Sequence, residues 1–221
     1  MCGRYVNKNS FEDIEKLFQA DLIQSPSISI QPSYNICPTQ YSPVVVSADE
    51  KYQMKNMHWG LIPSWSKDSK FATNLINARI ETVQEKPSFK GLTNASRCIV
   101  IASGYYEWVQ SDSGKQPYYI HGEHDVLPIA GLWTRWKDIK SFTIITKSAN
   151  SNISNIHHRM PLIIEQNHIK SFLDHSIKFD SSYNNQDIRL RYHKVSKLVN
   201  KTVKNDISCI CLLYTSPSPR D

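Results

Sequence analysis

The sequence predicts an α+β fold: a single domain with a mainly antiparallel, barrel-like β core flanked by short helices. Three observations carry this. Seven short runs rich in β-branched and aromatic residues crowd the stretch between residues 43 and 146, and turn residues separate several of them. Helical patterning shows mainly at the flanks. The 221 residues contain no internal repeat and no linker long enough to divide two domains, and a chain of this size buries a core without help from disulfides or metal.

Each element has a local reason. Ser10 opens a short helix. Asp13 follows it at capping-box spacing, and Phe11, Ile14, Leu17 and Phe18 form one apolar stripe. A Ser/Pro-rich loop runs from about Gln24 to Ser33. The β-like runs are Pro43–Ser47, Tyr52–Trp59, Arg97–Ala102, Tyr105–Val109, Tyr118–His121, Val126–Trp133 and Phe142–Thr146. Ser111-Asp112-Ser113-Gly114 reads as a hairpin turn. Helical pieces are expected over Ala78–Gln84 and Asn167–Leu173, a further strand over Leu162–Ile164, and an exposed polar loop over Lys178–Asp187. Residues 1–210 read as the domain. The Ser/Pro-rich ending, 211–221, has no amphipathic period and reads as a non-native tail.

Composition narrows the function classes. Hydrophobic residues are 40% and charged residues 21%, an ordinary globular balance that excludes disorder. The formal net charge of +6 suits an anionic partner such as nucleic acid. No run approaches the ~18–20 apolar residues of a membrane span. The opening MCGRYVNKNS lacks the apolar stretch of a secretory signal. A cytoplasmic or nucleoid-associated setting is expected, nuclear in a eukaryote. The five cysteines, at 2, 37, 98, 209 and 211, are odd in number and contain no CxxC pair, so neither a disulfide framework nor a zinc site is expected. With no Walker A or GxGxxG motif, no nucleotide cofactor is expected.

Five groups could carry chemistry. Removal of Met1 would leave Cys2 with a free α-amine beside its thiol. A 1,2-aminothiol condenses with an aldehyde to an imine, and the thiol then closes a thiazolidine ring. The amine can also serve the thiol as a base. The plainer alternative is a cysteine on an exposed terminus. Gly3 lets the backbone bend closely around a ligand. Glu107 sits in the strand-like Gly104-Tyr105-Tyr106-Glu107-Trp108, sharing a face with Tyr105. It reads as a general acid–base or as a solvent-facing glutamate. Asn77 can cap the helix expected after it or orient a substrate, and Arg79 can pair with Glu81 or Glu85 or clamp a phosphate. His157 and His158 precede Arg159 in what is either a proton-shuttling site or a polar loop. Trp59-Gly60-Leu61-Ile62-Pro63-Ser64-Trp65 and Trp133-Thr134-Arg135-Trp136-Lys137 mix rings and cations, as stacking sites for single strands do and as core tryptophans beside a charged face also do.

Taken in order, these stretches resemble one family. Met1-Cys2-Gly3-Arg4-Tyr5, Tyr34-Asn35-Ile36-Cys37-Pro38-Thr39-Gln40, Trp59–Pro63, Ile76–Thr82, Arg97-Cys98-Ile99, Gly104–Trp108 and His157–Pro161 look like the SRAP family. These are the SOS-response-associated peptidases or abasic-site-processing proteins, and the resemblance spans roughly residues 1–208. It implies the SRAP fold with a basic DNA-binding groove, and a role in the DNA damage response. Its activity is covalent capture of abasic sites in single-stranded DNA, without a cofactor. The implied catalytic residues are Cys2, Asn77, Glu107 and His157; His158 is not among them. Gly3, Arg4, Trp65, Arg79 and Arg159 are the implied DNA contacts. The family label carries a peptidase (hydrolase) activity, removal of Met1 by the protein itself, and the abasic-site chemistry is lyase-like. A monomer with no membrane association is expected. Cys37 departs from the family's usual alanine and reads as a buried small residue. Two rivals remain at this point: an N-terminal-cysteine glutaminase, since those enzymes also begin Met-Cys-Gly, and a non-covalent single-stranded DNA-binding module.

Overall fold

The computed structural model describes residues 2–19, 22–23, 28–48, 51–112, 114–180, 182–183 and 188–213. Among these, the strands in chain order are β1 (Tyr5–Asn7), β2 (Leu22–Ile23), β3 (Ser33–Ile36), β4 (Tyr41–Ala48), β5 (Lys51–Trp59), β6 (Asn77–Arg79), β7 (Arg97–Ala102), β8 (Gly104–Ser111), β9 (Gly114–His121), β10 (Leu127–Trp136), β11 (Ile139–Ser148), β12 (Arg159–Pro161) and β13 (Arg191–Lys194). The α-helices are α1 (Phe11–Leu17), α2 (Leu92–Ala95) and α3 (Ile169–Leu173). None of them is long and apolar enough to cross a membrane.

The expected architecture is present. Antiparallel pairings join β11 to β10, β10 to β7, β7 to β4 and β4 to β5. The end of β5 then pairs in parallel with β11, Ser141 opposite His58 and Phe142 opposite Trp59, which closes the ring. A second sheet, in the order β13-β9-β8-β1-β3, packs beside it. Strand β7 shows why these segments became strands. All six of its residues are buried, so both faces must be covered. Cys98, Val100 and Ala102 point into a core shared with Tyr5 and Tyr105 of the second sheet, whereas Ile99 and Ile101 pack with Ile14 of α1 and Phe172 of α3.

Gly114 and Gly104 are among the glycines that geometry requires. Gly114 takes φ +93° at the turn between β8 and β9. A Cβ on Gly104 would stand 2.5 Å from the Ile120 carbonyl oxygen and 2.6 Å from the Tyr119 ring, so only glycine lets β8 pass there.

The Ser10 capping box is present, with Ser10 accepting from the Asp13 N–H and the Asp13 carboxylate accepting from the Ser10 N–H. One expected helix is not. Residues 77–79 form β6, and residues 80–85 turn. Strand β11 offers β6 a parallel ladder, Ile144 opposite Asn77 through Thr146 opposite Arg79, and Ala78 and Ile80 alternate into the core. Pro87 then prevents the turn that follows from growing into a helix. Asn77 is therefore a strand residue and not a helix cap. The expected strand at Leu162–Ile164 begins earlier, as β12, and continues only as a bridge between Ile129 and Ile163. In the loop expected over Lys178–Asp187, Phe179 and Tyr183 are buried anchors packed on Phe172, while 181 and 184–187 lie outside the described residues. Leu212 forms a bridge with Val195, and 214–221 lie outside the described residues.

Candidate active site

Four separated segments meet around Cys2. Cys2 lies just before β1 and is fully buried in the core between the sheets. Its Sγ is 3.9 Å from the Arg4 carbonyl. Burial is the main reason its thiol is pushed far above the usual thiol range, and the negative charge of Glu107 adds to this. Asn77, at the start of β6, donates from Nδ2 to the Cys2 carbonyl at 2.8 Å. Its Oδ1 is buried and has no hydrogen-bond partner among the described residues. Glu107, the fourth residue of β8, is 3% exposed. The turn before β12 brings His157 Nδ1 to 4.0 Å from Glu107 Oε1.

Arg159 positions that histidine. Its backbone N–H lies 2.9 Å and its carbonyl 3.2 Å from His157 Nδ1, so the same residue can partner either tautomer of the ring. Burial lowers the His157 pKa; the Glu107 charge opposes the shift without cancelling it. His158 stacks on His157 with centroids 4.3 Å apart. Of the two neighbouring histidines, His157 is the one whose Nδ1 lies 4.0 Å from Glu107.

The arginines are placed differently from one another. The Arg4 guanidinium donates to the carbonyls of Val199 and Asn200 and to Asn35 Oδ1, and it lies 6.0 Å from the Trp108 ring. Arg159 is buried, with a bidentate pair to Glu81 at 2.7 and 3.0 Å and a 2.7 Å bond to the Thr146 carbonyl. Arg79 is exposed on β6. Trp65 is 59% exposed, on the loop that leads into the 3₁₀ turn Ser69–Asn74, and meets Phe71 edge-on at 5.9 Å. Trp59, by contrast, is fully buried against Tyr5 and Phe142. Gly3 is half-buried and Cys37 is buried. Among the described residues, no cluster of three His, Cys, Asp or Glu side chains gathers to hold a metal.

Sequence reasoning missed three participants. The Tyr105 hydroxyl is buried, lacks a hydrogen-bond partner among the described residues, and is held protonated chiefly by its burial, with the Glu107 charge adding to this. The two-residue alternation along β8 was the available signal. Glu81 belongs to Arg159, and no local spacing reveals a pair 78 residues apart. Phe71 completes the exposed aromatic pair with Trp65.

Cys2, Asn77, Glu107 and His157 thus gather where the second sheet packs beside the closed β ring. The family described as SOS response associated peptidase (SRAP) matches residues 1–202, and the chain belongs to that family. Among curated proteins it is 36% identical to the abasic site processing protein YoaM of Bacillus subtilis, over 93% of this chain and 95% of that one. It is 34% identical to the abasic site processing protein HMCES of Gallus gallus, over 80% of this chain and 64% of that one. A crystallised protein from Bacteroides thetaiotaomicron shares the fold with a TM-score of 0.75 at 26% identity, over 95% of this chain and all of the other.

Proposed function

We propose that this protein processes abasic sites in single-stranded DNA by covalent capture through Cys2 once Met1 has been removed. The observation that supports it most is the convergence on Cys2: Asn77 holds its carbonyl, and Glu107 and His157 stand together beside a thiol that burial keeps protonated. The kinship with proteins named for abasic site processing supplies the substrate class.

A protonated thiol leaves the α-amine as first nucleophile. The neutral His157 takes the C1′ hydroxyl proton as the closed deoxyribose opens to the aldehyde, and passes that proton to the sugar ring oxygen. The Glu107 carboxylate takes a proton from the α-ammonium, the freed amine attacks C1′ to form the C–N bond as the carbonyl double bond opens, and a nitrogen proton passes to the oxygen. Glu107 protonates the resulting hydroxyl, which leaves as water, and an iminium remains. The carboxylate of Glu107 then takes the Cys2 thiol proton, and the sulfur adds to C1′ to close the thiazolidine. The α-ammonium, thiol and aldehyde have become ring and water, and the proton left on Glu107 passes to solvent, which restores the carboxylate. The buried Oδ1 of Asn77 accepts from the Cys2 amine or a sugar hydroxyl. Arg79 and Trp65 meet the strand at the surface, and Gly3 leaves room for the sugar. Arg4, held in place by Asn35, adds positive potential beneath the phosphates, while Arg159, its charge matched by Glu81, braces the segment that carries His157. Removal of Met1 by the protein itself, with the Cys2 thiol as nucleophile, is the peptidase part of this reading.

The test mixes purified protein with a single strand carrying one abasic site and reads a denaturing gel. A heat-stable shifted band is expected for wild type, absent for Cys2→Ala and for an intact strand, and strongly reduced for Glu107→Gln. No band from wild type whose Met1 removal has been confirmed by mass refutes the covalent reading. Release of ammonia from glutamine would favour the glutaminase alternative.

A further inference from the structure

The face of β8 that carries Tyr105 and Glu107 continues across the second sheet to its edge. Tyr105 stands opposite Ile120 and Glu107 opposite Tyr118 on β9, and these stand opposite Tyr192 and Lys194 on β13. Residues directly opposed in a ladder share a face. One row therefore runs Glu107, Tyr118, Lys194, and the next Tyr105, Ile120, Tyr192. The inner ends are buried, Tyr118 is half-buried, and at the edge Tyr192 is 38% exposed.

The edge places aromatic rings beside cationic side chains. The Tyr118 and Tyr192 rings meet edge-on at 5.9 Å. Asn155 Nδ2 donates to the Tyr192 hydroxyl at 2.9 Å, and His157 lies two residues further along the same turn. An open hollow of about 580 Å³ lies against Tyr192, with Asn155, Arg189 and Arg191 around it. Arg191 is held by Glu123 at 3.0 Å, while the Arg189 and Lys194 side chains have no partner among the described residues. A tyrosine ring bordered by unpaired cations is the chemistry that stacks a nucleobase and holds its phosphates.

We propose that Tyr192, braced by Tyr118 and Asn155, stacks the base of a nucleotide flanking the abasic sugar, with Arg189 and Lys194 on the adjoining phosphates. This rests on the single-stranded DNA reading above. It extends the site from the captured sugar to the neighbouring intact nucleotides.

The test is equilibrium binding of intact single-stranded oligonucleotides, followed by fluorescence anisotropy, which needs no crosslink. Tyr192→Leu keeps packing bulk on Tyr118 but removes the π face, and is expected to weaken binding about tenfold; Tyr192→Phe should stay within about twofold. Arg189→Gln should lower the slope of log affinity against log salt by about one. A strand with a hydrocarbon spacer in place of the flanking bases supplies the reading that a purely structural tyrosine would not move. Wild type should lose about tenfold on it, and Tyr192→Leu should lose nothing more. If Tyr192→Leu distinguishes bases from spacer as well as wild type does, the platform is refuted, even where wild type still crosslinks through Cys2. If wild type forms no crosslink yet the coupling between Tyr192 and the flanking bases is present, the platform stands on a non-covalent strand binder. Failure of wild type to bind intact strands refutes the platform.

Discussion

The Glu81–Arg159 pair is the most demanding test of how this site is held. The Arg159 side chain is 7% exposed and that of Glu81 is 42% exposed, so the pair straddles the surface. Glu81→Ala removes the counter-charge of a buried guanidinium and leaves it the Thr146 carbonyl and hydroxyl. Stripping one partner from a fully buried pair costs about 3–5 kcal/mol. Water reaches the Glu81 side of this one, which lowers the expectation to about 2–3 kcal/mol. For a chain of this length that corresponds to a melting temperature lower by roughly 5–10 °C.

A double-mutant cycle with Arg159→Met makes the expectation sharp. The two single variants should each destabilise, and the double variant should lose less than their sum by at least about 1 kcal/mol. Acidity gives a second reading. The bond from Arg159 holds the Glu81 carboxyl below the usual carboxylate range. A depressed folded pKa contributes stability that is present above the unfolded value, about 4.3, and is lost as pH falls through the folded one. The stability gap between wild type and Glu81→Ala should therefore narrow below about pH 4. Additive single effects, or a gap unchanged down to pH 3, would refute the reasoning. The consequence for the site follows from the backbone, because the Arg159 backbone positions His157.

Three further outcomes are expected. Cys2→Ser should keep the amine but lose the ring-closing sulfur, so its adduct with abasic DNA should survive heat only after borohydride reduction, as a gel run with and without reductant would reveal. Burial holds the His157 pKa below its unfolded value near 6.5, so the unfolded chain binds a proton that the folded one does not. Stability should fall as pH drops below about 6.5 and level off below the folded pKa, and melting curves of His157→Asn should show a shallower decline. Asn35 is 1% exposed, and its Nδ2 donates to the carbonyls of Val199, Lys201 and Lys204. Asn35→Ala should cost about 2–3 kcal/mol and raise amide exchange or proteolysis around residues 199–205, while exchange within β7 is unchanged.

The elements legible in the sequence are those whose environment is periodic. β7 reads as a strand because both faces are buried, and α1 reads as a helix because its cap and its stripe agree. The short strands escaped. β1, β6 and β12 have three residues each, too few for a period to show, yet each adjoins or supplies a site residue. At Asn77–Arg79 local propensity favoured a helix, and the free edge of β11 decided otherwise.

The same contrast explains how the site was found. Cys2, Glu107 and His157 announce themselves by chemical type and by family motif, but their meeting depends on pairings between distant segments: β1 with β8, β6 and β12 with β11. Residues that act through others can lie in the same motifs, but their chemical type does not reveal their role. Asn35 and Glu81 look like ordinary polar residues in sequence, yet they hold Arg4 and Arg159 in place. Reactive groups could be named from motif alone. The groups that restrain them are visible only once the ring is closed, because a partner 78 residues away has no spacing to recognise. That is why the proposed stacking platform emerges from the register of β8, β9 and β13 and not from any run of letters.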